Sequence, residues 1–168
     1  MTTNESQVTE HDEAAEPSTT TEPARREHRK AVVSRLWELL YVHDFDGVGA
    51  MFTPDGHYTD VPSPDDGARG PEAIAARLKL GLEPIEPGQH ELHAMVCEGS
   101  LVITEHTETW IWHTGESVAL PFVSVMELDE DDMITRWWDY WDLQTLMNSA
   151  PDWWIERIMS GAEEIGLA

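Results

Sequence analysis

Three short stretches of this 168-residue chain carry ionisable side chains at a spacing that lets them meet. Tyr58 and Asp60 stand two apart, as do His106 and Glu108, and Asp139 is flanked at the same interval by Trp137 and Trp141. Strand side chains alternate between two faces, so residues two apart share one. One face of the run near 101–113 carries Val102, Thr104, His106, Glu108, Trp110 and Trp112; one face of 133–142 carries Thr135, Trp137, Asp139 and Trp141. Turned to one concave side, these faces place Tyr58, Asp60, His106, Glu108 and Asp139 in a pocket walled by Trp110, Trp137 and Trp141. Ionisable groups inside an aromatic wall are costly unless paired, and pairing shifts their pKa values toward acid–base catalysis.

Each position also has a plainer reading. Asp60 alone reads as a solvent-face acid, and His106 with Glu108 as an exposed pair reaching toward Arg136. Tryptophans more often fill a core than cage a ligand. His90 and His93 fall on opposite sides of a strand-like run, so no metal pair is expected there, nor any other metal site.

The elements that must position these residues follow from periodicity. Residues 1–23 are rich in Thr, Glu, Ser and Pro with almost nothing apolar, which predicts a disordered acidic tail before a domain over 24–168. Val32, Val33, Leu36, Trp37, Leu39, Leu40 and Tyr41 recur at helical spacing. Arg25, Arg26, Arg29, Lys30 and Arg35 interleave them and read as a solvated basic face. Asp44, Asp46 and Gly47 end that helix, Val48 to Phe52 form a helical turn, and Pro54-Asp55-Gly56 punctuate before a strand over 57–61. A loop over 62–70 leads to a helix with Pro71 in its first turn. Strands near 89–97, 101–113, 117–128 and 133–142, joined by short turns, make an antiparallel meander. A short helix over 143–149 precedes a last amphipathic helix over 152–165. This order is α+β, with helices covering one face of a bent sheet.

Bulk composition narrows the function classes. With 33 acidic and 10 basic residues the net charge is -23, which disfavours phosphate backbones and anionic lipid, so neither nucleic acid nor membrane is an expected partner. Cys97 is the single cysteine, so no intramolecular disulfide can form. With no apolar run typical of a secretory signal, this suits a cytoplasmic location.

The strings Thr104-Glu105-His106-Thr107-Glu108 and Trp137-Trp138-Asp139-Tyr140-Trp141-Asp142-Leu143, with Phe52-Thr53-Pro54-Asp55 and Tyr58-Thr59-Asp60, resemble segments of the limonene-1,2-epoxide hydrolase and SnoaL-like branch of the NTF2-like superfamily. The resemblance covers about residues 30–148. It implies a cone-shaped α+β fold, a curved mixed or antiparallel sheet with helices enclosing a pocket, and a homodimer formed by sheet faces. It also implies cofactor-free hydrolysis of an epoxide on a bulky apolar small molecule. Asp139 then stands as the water-activating base and Tyr58 as a water holder. Asp60 replaces the family's asparagine, Glu108 its proton-donating aspartate, and His106 the arginine that bridges the two carboxyl groups. Flanked by carboxylates, His106 is expected to be held as the imidazolium, with a raised pKa and activity that falls on the alkaline side.

Two other functions compete. An isomerase or polyketide-cyclase-like lyase would use Asp60 or Asp139 as base. Asp60 matches by spacing the general base of ketosteroid isomerase, whose oxyanion-stabilising tyrosine and second aspartate fall near Leu36 and Val123. The third reading is a non-catalytic ligand-binding module.

Overall fold

The computed structural model describes residues 21–86 and 89–164. Its elements run α1 (Glu22–Tyr41), α2 (Phe45–Gly49), β1 (Phe52–Asp60), β2 (Ala68–Arg69), α3 (Pro71–Leu82), β3 (Gln89–Glu98), β4 (Leu101–Ile111), β5 (Ser117–Leu128), β6 (Ile134–Tyr140), α4 (Leu143–Met147) and α5 (Asp152–Glu164). The six strands form one mixed sheet in the order β2-β1-β6-β5-β4-β3. The expected meander is its antiparallel half, and β1 joins β6 in parallel. Residues 1–20 of the expected tail and Ile165 of the expected last helix lie outside the described residues, and Glu22 and Pro23 already belong to α1.

α1 turns Val33, Leu36, Trp37, Leu39 and Leu40 onto the concave side of the sheet. Its basic residues do more than face solvent. Arg29 is buried and bonds Asp132 Oδ1 at 2.7 Å, the Gly99 carbonyl at 2.5 Å and the Asp129 carbonyl at 2.7 Å. A guanidinium's rigid fork of donors suits this tying of two turns to one helix. α2 starts earlier than expected because the Asp44 carboxylate accepts from the Gly47 amide and so caps it.

Pro54-Asp55-Gly56 lie inside β1 rather than before it. The parallel register with β6 shifts between Phe52 and His57, so these residues are taken up as an irregularity instead of ending the strand. Beyond it, Tyr58 pairs with Trp137 and Asp60 with Asp139. The segment after β1, expected as loop, returns as the two-residue strand β2. Gly67 makes that return possible: its φ is 79°, and a Cβ there would lie 2.1 Å from the Tyr58 carbonyl oxygen.

Two apolar clusters fill the interior. One joins α1, α2, α3 and β1 to the sheet around Trp37, Phe52 and Trp137. The other brings Leu146 and Trp154 from α4 and α5 against Ile85, Trp112, Leu120 and Phe122. The Trp154 indole N–H donates to the Gly81 carbonyl at 2.9 Å and Arg157 to the Leu80 carbonyl at 3.1 Å, so α5 is fastened to the end of α3. Among the described residues, no helix is long and apolar enough to cross a membrane.

Candidate active site

Between the sheet, α3 and α5 lies a cavity of about 180 Å³. Parallel pairing of β1 with β6 places Asp60 directly across from Asp139, while antiparallel pairing places Ser124 of β5 across from Asp139 on its other side. Asp139 is 3 % exposed, and its two oxygens have different surroundings. Oδ1 accepts from Ser124 Oγ and from the Trp137 indole N–H, both at 2.5 Å. Among the described residues, Oδ2 meets only the Tyr58 hydroxyl, at 3.4 Å. The single Tyr58 proton has a closer acceptor in Asp60 Oδ1 at 2.9 Å. Asp139 therefore keeps one oxygen open. Burial, then the charge of Asp60, holds its pKa well above the usual carboxylate range.

Asp60 is held the opposite way. Its Oδ1 accepts from Tyr58 and from the Trp141 indole N–H at 3.1 Å; its Oδ2 accepts from Arg77 Nε at 3.1 Å and Nη2 at 3.0 Å. A carboxylate has about four acceptor sites, and these four donors occupy them. Glu108, on β4, is 5 % exposed. The Trp110 indole N–H donates to its Oε2 at 2.7 Å. Burial outweighs that bond and pushes the Glu108 pKa up to about 7, so it carries a proton at neutral pH or just below. Asp60, Glu108 and Asp139 all line the cavity, with Tyr58, Trp110, Trp137 and Trp141. Trp154 and Ile158 of α5, Leu146 of α4 and Phe122 close it with apolar surface. Among the described residues, no group of three His, Cys, Asp or Glu is placed to hold a metal ion.

Residues 33–137 match the sequence profile of the SnoaL-like domain. The chain belongs to the SnoaL-like domain family. No curated protein matches it. Among solved structures this SnoaL-like domain is similar to an LEH-like epoxide hydrolase of Mycobacterium tuberculosis, at 23 % identity and a TM-score of 0.62, over 84 % of this chain and 98 % of that one. It is also similar to a protein from Shewanella putrefaciens described as a SnoaL-like polyketide cyclase, at 18 % identity and a TM-score of 0.64, over 73 % and 95 %. A third is a Catenulispora acidiphila protein with a ketosteroid isomerase-like fold, at 20 % identity and a TM-score of 0.61, over 70 % and 90 %. At such identities these likenesses speak for the fold alone. The NTF2-like cone expected from the sequence is the fold observed.

Four of the five ionisable residues expected in the pocket of this SnoaL-like domain line it, and His106 does not. Its ring lies behind the wall, fully buried against Trp37 and stacked on Phe122. Burial, with His90 and His93 on β3, pushes its pKa down to about 3, so it is neutral rather than the expected imidazolium. Glu108 supplies little charge to oppose this, because it holds its own proton. The cation beside the acids is Arg77 of α3, which the sequence reading missed. Arg77 bonds Asp60 and also Asp65 at 2.7 Å, and Ser63 Oγ donates to Asp65 at 2.6 Å, so the loop after β1 is pinned over the site. Its place among Ile74, Leu78 and Gly81 on the inner stripe of α3 was the available signal.

Proposed function

We propose that this SnoaL-like domain hydrates an epoxide on a small apolar molecule, using side chains for both proton transfers. The observation that carries the reading is a pair of carboxyl groups in one apolar cavity: Asp139, whose Oδ2 is open, and Glu108, whose pKa of about 7 lets it hold or release a proton near neutrality. A water beside Tyr58 gives a proton to ionised Asp139 Oδ2 as its oxygen bonds an epoxide carbon. The carbon–oxygen bond of the ring breaks, and Glu108 gives its proton to the departing oxygen. The product is a diol; Asp139 gains one proton and Glu108 loses one. A raised pKa makes Asp139 a stronger base once ionised, and a carboxyl near neutrality is an effective acid.

Cavity size bears on the substrate. Sealed cavities of about 150 Å³ take up benzene, so about 180 Å³ has room for at least one ring of the substrate. A second reading, proton abstraction beside a carbonyl, draws support from the protonated Glu108, which could donate to an enolate oxygen. The positions expected to supply such donors do not: Leu36 is core, and Val123 is exposed on the outer sheet face. Asp60, with its acceptor sites filled, is the poorer base.

The test is turnover of cyclohexene oxide and limonene oxide in heavy-oxygen water, beside an androstenedione isomerisation assay. The expected product is a diol carrying one labelled oxygen from the first turnover onward. A first turnover whose new oxygen is unlabelled, drawn from a protein carboxylate, would overturn the mechanism. Absence of any diol would overturn the function.

A further inference from the structure

Ser124 and His106 take no part in the steps above, yet they join the two carboxyl groups behind the cavity wall. Asp139 Oδ1 lies 2.5 Å from Ser124 Oγ, Ser124 Oγ lies 2.9 Å from His106 Nε2, and His106 Nδ1 lies 3.7 Å from Glu108 Oε1. The last gap must shorten by roughly 0.7 Å to become a hydrogen bond. Trp110 donates to Oε2 of Glu108, the Tyr41 phenol lies beside the same carboxyl group, and Oε1 is the oxygen nearest His106 Nδ1. His106 Nδ1 is buried with no hydrogen-bond partner among the described residues. A buried ring nitrogen left bare calls for a reason.

We infer that Ser124 and His106 form a proton relay through which Asp139 and Glu108 exchange a single proton. The chain has two self-consistent states. In one, Glu108 is protonated toward bare Nδ1, the Nε2–H donates to Ser124 Oγ, and Ser124 donates to ionised Asp139. In the other, Asp139 is protonated on Oδ1 and donates to Ser124, Ser124 donates to bare Nε2, and the Nδ1–H donates to ionised Glu108. Three protons shifting in concert along the chain convert one state into the other, and the total charge is unchanged. A neutral imidazole suits the task because it always has one N–H and one lone pair. The first state is the one the hydration reading requires. After turnover Asp139 holds the proton and Glu108 lacks one; once the Asp139 proton sits on Oδ1, the relay restores the starting state. The exchange stands on the geometry, whereas its part in turnover rests on the hydration reading.

The groups around His106 favour neutral exchange over a charged imidazole. Glu108 lies on its own strand, His90 of β3 meets it edge-on at 4.9 Å, and His93 adds to the opposition from the same strand. Tyr41 of α1 stacks on His90, and its phenol is pushed up by burial and by Glu108 and Asp139. Asp139 acts through Ser124.

Two measurements on the full chain test the relay. The first uses no ligand: nuclear magnetic resonance of protein with isotope-labelled histidine, the His106 signals being those lost in His106→Gln. As pH rises and the carboxyl pair goes from two protons to one, the shifts of the two ring nitrogens should move toward each other. Ser124→Ala should fix a single tautomer, and Ser124→Thr should restore the exchange. A single tautomer with unmoved nitrogens in the unaltered protein over roughly pH 5 to 9 would overturn the relay. The second uses limonene oxide: Ser124→Ala should slow later turnovers about tenfold more than the first, giving a burst of product that the unaltered protein lacks. Equal slowing of first and later turnovers overturns the part in turnover. If no epoxide is hydrated, the hydration reading falls, and the resonance measurement still decides the relay.

Discussion

At one end of the cavity Asp60, Asp139 and Glu108 sit under indole and phenol donors; at the other, Leu146, Trp154 and Ile158 meet Phe122 with little but apolar contact. The first end buries carboxyl groups against their preference, and two of them have raised pKa values in consequence. The second buries surface that leaves water favourably. The cavity is thus held by its apolar end, while its polar end carries strain in the form of displaced ionisation. Stability and chemistry are separated along one pocket, and substitutions at the two ends should differ in kind.

Trp154→Ala should have the largest effect, a loss of about 3–5 kcal/mol in urea unfolding, because it removes the indole bond to α3 with the packing of the second cluster. The dependence of stability on pH should survive this change. A loss under about 1 kcal/mol would show that the C-terminal helix merely covers the cavity.

Glu108→Gln should act in the other direction. The folded-state pKa of about 7 lies above the ordinary 4.5, so between these values the folded chain keeps a proton that the unfolded chain has released. Stability therefore falls as pH rises from about 4.5 to about 7, by up to about 3 kcal/mol. The glutamine variant should lose this slope and be the more stable protein at pH 8, while losing turnover. An unchanged slope would mean that Glu108 is not the group displaced by burial.

Asp139→Asn should lower turnover about 100-fold or more with its fold intact, read by melting and by steady-state rate. Activity close to that of the unaltered protein would sink the site assignment. Asp60→Asn should have the mildest effect. The charge of Asp60 raises both Asp139 and Glu108, so its removal should move both limbs of the rate profile to lower pH while turnover persists. One limb belongs to ionisation of Asp139 and the other to ionisation of Glu108. Near-complete loss of turnover in Asp60→Asn would favour Asp60 as the base.

Alternation within strands was enough to read which faces turn inward, because burial on one side of a sheet enforces period two. It placed Glu108, Asp139 and the indoles of Trp110, Trp137 and Trp141 on the cavity side. The irregularity at Pro54-Asp55-Gly56 was illegible, since these residues mark a break unless a partner strand absorbs them. Arg77 was missed because one arginine on an amphipathic helix normally reaches water, even where it shares the inner stripe with Ile74 and Leu78; its partners Asp60 and Asp65 come from a distant segment. His106 was misjudged in charge: carboxyl neighbours suggested a cation, but the burial that neutralises the imidazole also raises the pKa of Glu108 and Asp139. Spacing reports neighbours and not the water around them.

The parallel pairing that sets Asp60 across from Asp139 has a kinetic consequence. β3 to β6 are successive strands joined by turns, and their contacts form between segments close in sequence. β1 must find β6 across the whole meander, and such distant closure is the slower kind of contact to form. Tyr58 and Asp60 therefore meet Asp139 only when the sheet gains its parallel strand. A slip of one residue at that step would turn both side chains to the opposite face. The joining of β1 to β6 is the event that turns a finished sheet into a working site.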